Sequence, residues 1–245
     1  MQKETTIANL FGKSIYKCTI NNYDEYNKPL VKDIESFVKE KPGSVAATTD
    51  VTGNINYTKL NDAVDNLHKK KLYAPLFTAL NRNINFFLHS YGYNLDKFDV
   101  HLTKAWATFT AKDQYISSHK HTASHYSCVY YVRNNDMGNI KFEEELAAQT
   151  GLYIPPTDHY IREWNNFNFA SFTIPVATGD FVIFPSCLLH YTEINKKDEP
   201  RISISADILL TMKKVSVQNI AYHILVSGSR FNCQENNYKK YCCED

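Results

Sequence analysis

Two stretches, His119-Lys120-His121 with Ser127-Cys128-Val129-Tyr130-Tyr131-Val132 behind it, and Gly179-Asp180-Phe181-Val182-Ile183-Phe184-Pro185-Ser186-Cys187-Leu188-Leu189-His190, decide how the chain is read. A third, Arg201-Ile202-Ser203-Ile204-Ser205, completes them. All three are rich in β-branched and aromatic residues and are bounded by turn formers, the mark of strands. On a strand, residues i and i+2 share a face. His119 and His121 can therefore approach one ion, and Arg201 and Ser203 point the same way. His190 opens a later strand, behind an apolar run that ends at a Pro turn. Neutral imidazole suits iron, zinc, copper and nickel. A guanidinium inside a strand barrel needs an anion, and its planar fork matches a carboxylate.

Outward from these stretches the same rhythm continues. Val100 to Thr110, Tyr115 to His121, Ser127 to Val132, Asn139 to Glu143, Phe169 to Ile174, Asp180 to Phe184, Leu189 to Ile194 and Arg201 to Leu210 are short alternating segments separated by turn signals. Helical patterns precede them. Pro29 and Leu30 open one, with Leu30, Ile34, Phe37 and Val38 on one face, and Pro42-Gly43 stops it. A second starts near Thr58, with Leu60, Ala63, Val64 and Leu67 as its stripe and Lys69, Lys70 and Lys71 at its end. A third has Pro75 in its first turn, buries Leu76, Phe77, Leu80, Ile84, Phe87 and Leu88, and ends at Gly92. Ile7 to Ile20 reads as short strands, and 44–57 as loop with at most an edge strand. The fold class expected is α+β: a double-stranded β-helix (jelly roll, cupin-like) core with an N-terminal helical layer packed on one sheet. We expect one domain over 1–245, with strands and supporting helices in 1–97, the jelly-roll core in 98–210 and an extension in 211–245.

Bulk properties narrow the function. The 245 residues carry 27 basic and 26 acidic side chains, so no bulk charge marks a nucleic-acid binder. No apolar run approaches the ~18 residues of a membrane span. The six cysteines show no C-x-x-C spacing, and the N-terminal residues have no apolar leader core, which points to a cytoplasmic setting with reduced thiols. Cys233, Cys242 and Cys243 form a loose C-terminal group that reads as incidental thiols in a polar tail.

At this point the motifs resemble a known superfamily, the Fe(II)/2-oxoglutarate-dependent oxygenases, and within it a group of small, largely uncharacterised oxygenases of bacteria and phages. The resemblance runs through H-x-H, S-G-V-Y-Y-V, G-x-L-x-F, G-D-x-x-x-F-P-S-x-x-x-H and R-I-S-I-S. Here these are His119 to His121, Ser127 to Val132, Gly138 to Phe142, Gly179 to His190 and Arg201 to Ser205. It covers about Ala105 to Ile208. It implies Fe(II) as the metal, 2-oxoglutarate and O2 as cosubstrates, and hydroxylation of a C–H bond in a small-molecule or peptide substrate. Carried over by position, it makes His119 the first ligand and His190 the distal one. Arg201, helped by Ser203 and Tyr131, would hold the far carboxylate of 2-oxoglutarate.

One position departs from the superfamily's pattern. Its usual ligands are His-x-Asp/Glu…His, two imidazoles and one carboxylate, and here His121 stands in the carboxylate slot. His121 itself ligates on the reading we prefer. Asp113 or Glu143 could instead complete the triad, or one of the two histidines could stand behind the other. Cys128 replaces the usual Gly, which brings a thiol close to the ligand strand. His125 fills the Glu slot of a cupin H-x-H-x3-4-E motif, so a cupin-type metal enzyme that does not use 2-oxoglutarate is the rival. A jelly roll with adventitious metal is the non-enzymatic alternative. Residues 145–168, with Tyr153, Tyr160 and Trp164, read either as a substrate lid or as an insertion that packs an outer face or a dimer interface.

Overall fold

The computed structural model describes residues 13–40, 45–46, 57–58, 66–143, 162–163 and 171–213. Ten strands and two helices lie in it. They are β1 (Tyr16–Thr19), α1 (Tyr23–Glu40), β2 (Val45–Ala46), β3 (Tyr57–Thr58), α2 (Ala74–Ser90), β4 (Phe98–Thr110), β5 (Tyr126–Arg133), β6 (Ile140–Glu143), β7 (Ser171–Ile174), β8 (Asp180–Pro185), β9 (Leu189–Thr192) and β10 (Arg201–Met212). The strands form a seven-stranded sheet in the order β1-β8-β5-β10-β4-β3-β2 and a three-stranded sheet in the order β7-β6-β9. Every pairing between named strands is antiparallel. Two facing antiparallel sheets whose strands cross from one to the other make the jelly roll.

Alternation sends β5 and β8 of the large sheet into two cores. From β5, Tyr126, Cys128, Tyr130 and Val132 enter the core beneath the helices, while Tyr131 enters the core between the sheets. From β8, Phe181 and Ile183 go to the helical side, and Val182 and Phe184 to the inter-sheet side. From β10, Ile202, Ile204, Ala206, Ile208 and Leu210 all face the helices. That leaves Arg201, Ser203, Ser205 and Asp207 on the opposite face, toward the small sheet.

α2 covers the large sheet with the six residues its periodicity predicts: Leu76, Phe77, Leu80, Ile84, Phe87 and Leu88 are all buried. Gly92, at φ +95°, turns the chain out of the helix, and the Tyr93 amide then reaches back to the Leu88 carbonyl. Phe87 meets the Tyr126 ring edge-on at 5.2 Å. Three side-chain hydrogen bonds also stitch the helical layer: Tyr130 to Asn27 (2.7 Å), Tyr73 to Asp33 (2.7 Å) and Tyr16 to Asn83 (2.9 Å).

Several expectations are corrected. α1 starts at Tyr23, and Pro29 lies inside it. Contacts distant in sequence fix that start: Ile20 donates to the Gly179 carbonyl, and Asn27 is held under Tyr130. Tyr115 to His121 is not a strand. Its backbone bonds in turn to Thr192, His190 and Ser186, three partners on two elements, so only a single bridge, His119 to His190, forms. Thr58 belongs to a strand and Leu67–Lys69 to a 3-10 turn, whereas the second helix was expected there. Leu60, Ala63 and Val64 lie outside the described residues, as do Tyr153, Pro155, Pro156, Tyr160, Trp164, the C-terminal cysteines and 214–245. Cys128 points away from the ligand strand into the helix-side core, where burial pushes its thiol pKa up. Among the described residues no helix is long and apolar enough to cross a membrane.

Candidate metal centre and anion clamp

The histidines are brought together by main chain. The His119 amide donates to the His190 carbonyl (3.0 Å), the His190 amide donates back to His119 (2.9 Å), and the His121 amide donates to Ser186 (3.0 Å). The three imidazoles then converge, each offering one ligand atom within 4.8 Å of the others. Ring centroids lie 4.3 Å apart for His119 and His190, and 5.2 Å apart for the other two pairs.

Each ring is also oriented from behind. Nδ1 of His119 faces the Ser117 carbonyl (2.8 Å), Nδ1 of His190 faces the Leu188 carbonyl (2.9 Å), and Nδ1 of His121 faces Asp207 Oδ1 (2.6 Å). An acceptor at Nδ1 keeps the proton there and leaves the Nε2 lone pair free. Burial holds the pKa of His190 down to about 3 and lowers that of His119, and a positive His121 ring would oppose a charge on either. Both are therefore neutral donors at neutral pH. Phe184 packs 4.6 Å from the His190 ring, and Trp106 stacks on His121 at 5.5 Å.

Trp106, Thr108, Ile116, Tyr131, Arg201 and Ser203 line the same cavity as the three histidines. Arg201 is only 1% exposed. Its guanidinium donates to Thr192 Oγ1 (2.7 Å) and to the carbonyls of Met137 (3.3 Å) and Glu193 (3.4 Å). Among the described residues no carboxylate forms an ion pair with it. Local acids are engaged elsewhere: Asp198 by Lys112, and Glu199 and Glu35 by Arg133. A buried cation without an anion is costly, so this arrangement fits an incoming carboxylate. Ser203 pairs with Tyr131 across β10 and β5, so both stand beside the guanidinium. Burial raises the Tyr131 pKa, keeping the phenol a proton donor.

The residues proposed to replace His121 do not approach the cluster. Asp113 is exposed and pairs with Lys196, and Glu143 hydrogen-bonds Tyr191. His125, the extra ligand of a cupin site, is exposed and accepts the Leu210 amide through Nδ1 (3.1 Å). The acid that does reach the site is Asp207. It was legible only as the last member of the polar series Arg201, Ser203, Ser205, Asp207. Thr192 and Trp106 had no distinguishing signal in sequence.

Residues 104–207 match the model of a family described as "Putative 2OG-Fe(II) oxygenase". That span holds all three histidines, Tyr131, Arg201, Ser203 and Asp207. Among solved structures the chain is similar to the non-heme alpha-ketoglutarate-dependent epimerase SnoN of nogalamycin biosynthesis. Identity is 12% and TM-score 0.57, over 84% of this chain and 82% of that one. The carbocyclase SnoK of the same biosynthesis gives 10% and 0.56, over 86% of each chain. A Pseudomonas putida prolyl-4-hydroxylase gives 9% and 0.52, over 80% and 92%. At these identities the likeness establishes the shared fold. No curated protein sequence matches the chain.

Proposed function

We infer that the chain, whose residues 104–207 match the model of a 2OG-Fe(II) oxygenase family, is an Fe(II)- and 2-oxoglutarate-dependent dioxygenase acting as a hydroxylase. The observation that carries this is the placement of a fully buried Arg201, without a carboxylate partner among the described residues, in the same cavity as three convergent imidazoles. His119, His121 and His190 would hold the metal. Arg201 would hold the distal carboxylate of 2-oxoglutarate, with Thr192 fixing the guanidinium and Tyr131 and Ser203 offering hydroxyls. Iron and 2-oxoglutarate held there would, with O2, supply oxidative decarboxylation to succinate coupled to oxidation of a substrate C–H bond.

The remaining chemistry belongs to the side chains. The acceptor behind each ring selects the tautomer that turns Nε2 toward the other two, and burial disfavours a proton on His119 and His190. The inter-sheet core, with Ile140, Phe142, Phe184 and Leu188, limits water behind the site. Arg201 fixes the orientation of a dicarboxylate by a charge-assisted, two-pronged contact. The substrate would be a small molecule or a peptide side chain, met in the cavity by lining residues that include Trp106 and Tyr191. Free thiols and the need for ferrous iron suit a cytoplasmic setting.

The test is an anaerobic titration of apoprotein with Fe(II) and then 2-oxoglutarate, followed by visible absorption. A weak charge-transfer band that needs both additions, disappears in His190→Ala and requires far more 2-oxoglutarate in Arg201→Ala is the expected result. Stoichiometric metal binding without that band would favour a cupin-type enzyme, a reading that the outward position of His125 already weakens.

A further inference from the structure

Three imidazoles bring no negative charge to a dication. Their outer nitrogens nevertheless differ: those of His119 and His190 face backbone carbonyls, while that of His121 faces a carboxylate. Asp207 is 7% exposed, and among the described residues its one ion-pair partner is His121. The oxygen that meets His121 also accepts Ser127 Oγ at 3.0 Å. Ser127 lies 2.9 Å from Ser186 Oγ, which in turn accepts Ser124 Oγ at 2.8 Å. Because Ser127 spends its proton on Asp207, it accepts from Ser186. Every hydroxyl in this chain therefore donates toward the carboxylate, and bonds aligned in this way strengthen one another.

We propose that Asp207 is a positioning residue for the metal site. It holds His121 as the Nδ1–H tautomer with Nε2 turned to His119 and His190, and it supplies through the imidazole the negative charge that a carboxylate ligand would have brought directly. The three-serine chain fixes which carboxylate oxygen faces the ring. The proposal rests on the metal reading above, and it explains how His121 can occupy a carboxylate's position. A carboxylate behind a ligating imidazole raises the ring's basicity, and its loss typically weakens metal binding ~10–100-fold. The two ends of one face of β10 thus have separate tasks, with Arg201 for the cosubstrate and Asp207 for the metal ligand.

Co(II) titration of the apoprotein, read by its visible spectrum and by chelator competition, tests this in four proteins: wild type, Asp207→Asn, His121→Ala and the double variant. Asp207→Asn should weaken Co(II) binding ~10–100-fold when His121 is present and hardly at all when it is absent. In the zinc-loaded wild type, 15N-histidine spectra should show one strongly downfield Nδ1–H resonance that His121→Ala removes and Asp207→Asn shifts. If Asp207→Asn does not fold, Ser127→Ala, which removes only the second hydrogen bond to the carboxylate, should weaken binding by a few-fold and shift the same resonance. Wild-type binding matched by Asp207→Asn, an equal loss in both His121 backgrounds, or an unmoved resonance in the folded variant would each overturn the proposal alone. A wild-type chain that binds no Co(II) would overturn the metal reading itself.

Discussion

Arg201 shows how burial turns a residue into a chemical demand. A guanidinium 1% exposed, with one hydroxyl and two weak carbonyl contacts, has donors to spare. Arg201→Lys keeps the charge but not the fork. It should therefore retain metal binding yet need at least ~30-fold more 2-oxoglutarate, about 2 kcal/mol of a buried charged contact; the charge-transfer titration measures this. His190 makes the complementary demand on pH. Its folded pKa is about 3, below the unfolded value near 6.5, so the unfolded chain takes up a proton that the folded chain refuses. Stability from this group is complete above the unfolded pKa and falls as pH drops through the window toward 3. Between pH 7 and pH 5 the metal-free protein should lose about 2 kcal/mol that His190→Asn does not lose, measured by urea unfolding. The sequence displayed His119 with His121, and Arg201 with Ser203, because i and i+2 spacing pairs them, and it displayed His190 through the motif from Gly179 to His190. It hid Asp207 because no local rule tells an acid at a strand's far end from a surface acid. Only the pairing of Ser127 with Asp207 across β5 and β10 puts it behind His121.

At the scale of elements, strands with one apolar partner face were legible, and segments held by several partners were not. β4, β5, β6, β8, β9 and β10 lie within a few residues of their expected limits because alternation marks both faces. Residues 115–121 were also expected as a strand, yet their backbone bonds are shared between β9 and the β8–β9 turn, and no ladder forms. Helix α1 was misplaced at its start for a similar reason. Pro29 favours a first turn, but Asn27 and the Gly179 turn hold the preceding residues in helix. The turn into β6 depends on Gly138, at φ +105°. A Cβ there would stand 2.7 Å from the Glu193 carbonyl and 3.1 Å from the Arg201 guanidinium. Gly138→Ala should cost about 1–3 kcal/mol in urea unfolding and should also raise the 2-oxoglutarate requirement, since it displaces the clamp. Gly92→Ala, at φ +95° with nothing near its Cβ, should lower stability without touching that requirement.

For the whole molecule, the helical layer is part of the fold and not an ornament on it. Ile202, Ile204, Ala206 and Ile208 of β10 share one core with Leu30, Leu76, Leu80, Ile84 and Leu88. A chain trimmed to residues 98–213 would leave that face of the sheet bare, and it should be insoluble or molten by near-UV circular dichroism and ANS binding. Leu88→Ala in the full chain, at 0% exposure, should cost about 2–5 kcal/mol. The layered plan was readable because helix and strand periods are distinct over 74–90 and 98–210; of the second helix expected from Thr58, only the ends lie among the described residues, Thr58 in a strand and Leu67–Lys69 in a 3-10 turn. The paired main-chain bonds between His119 and His190 have a further consequence at this scale. If the metal reading holds, these bonds would keep His119 and His190 side by side without help from the ion, so chelator-stripped protein should keep its near-UV circular dichroism and take up iron again without refolding.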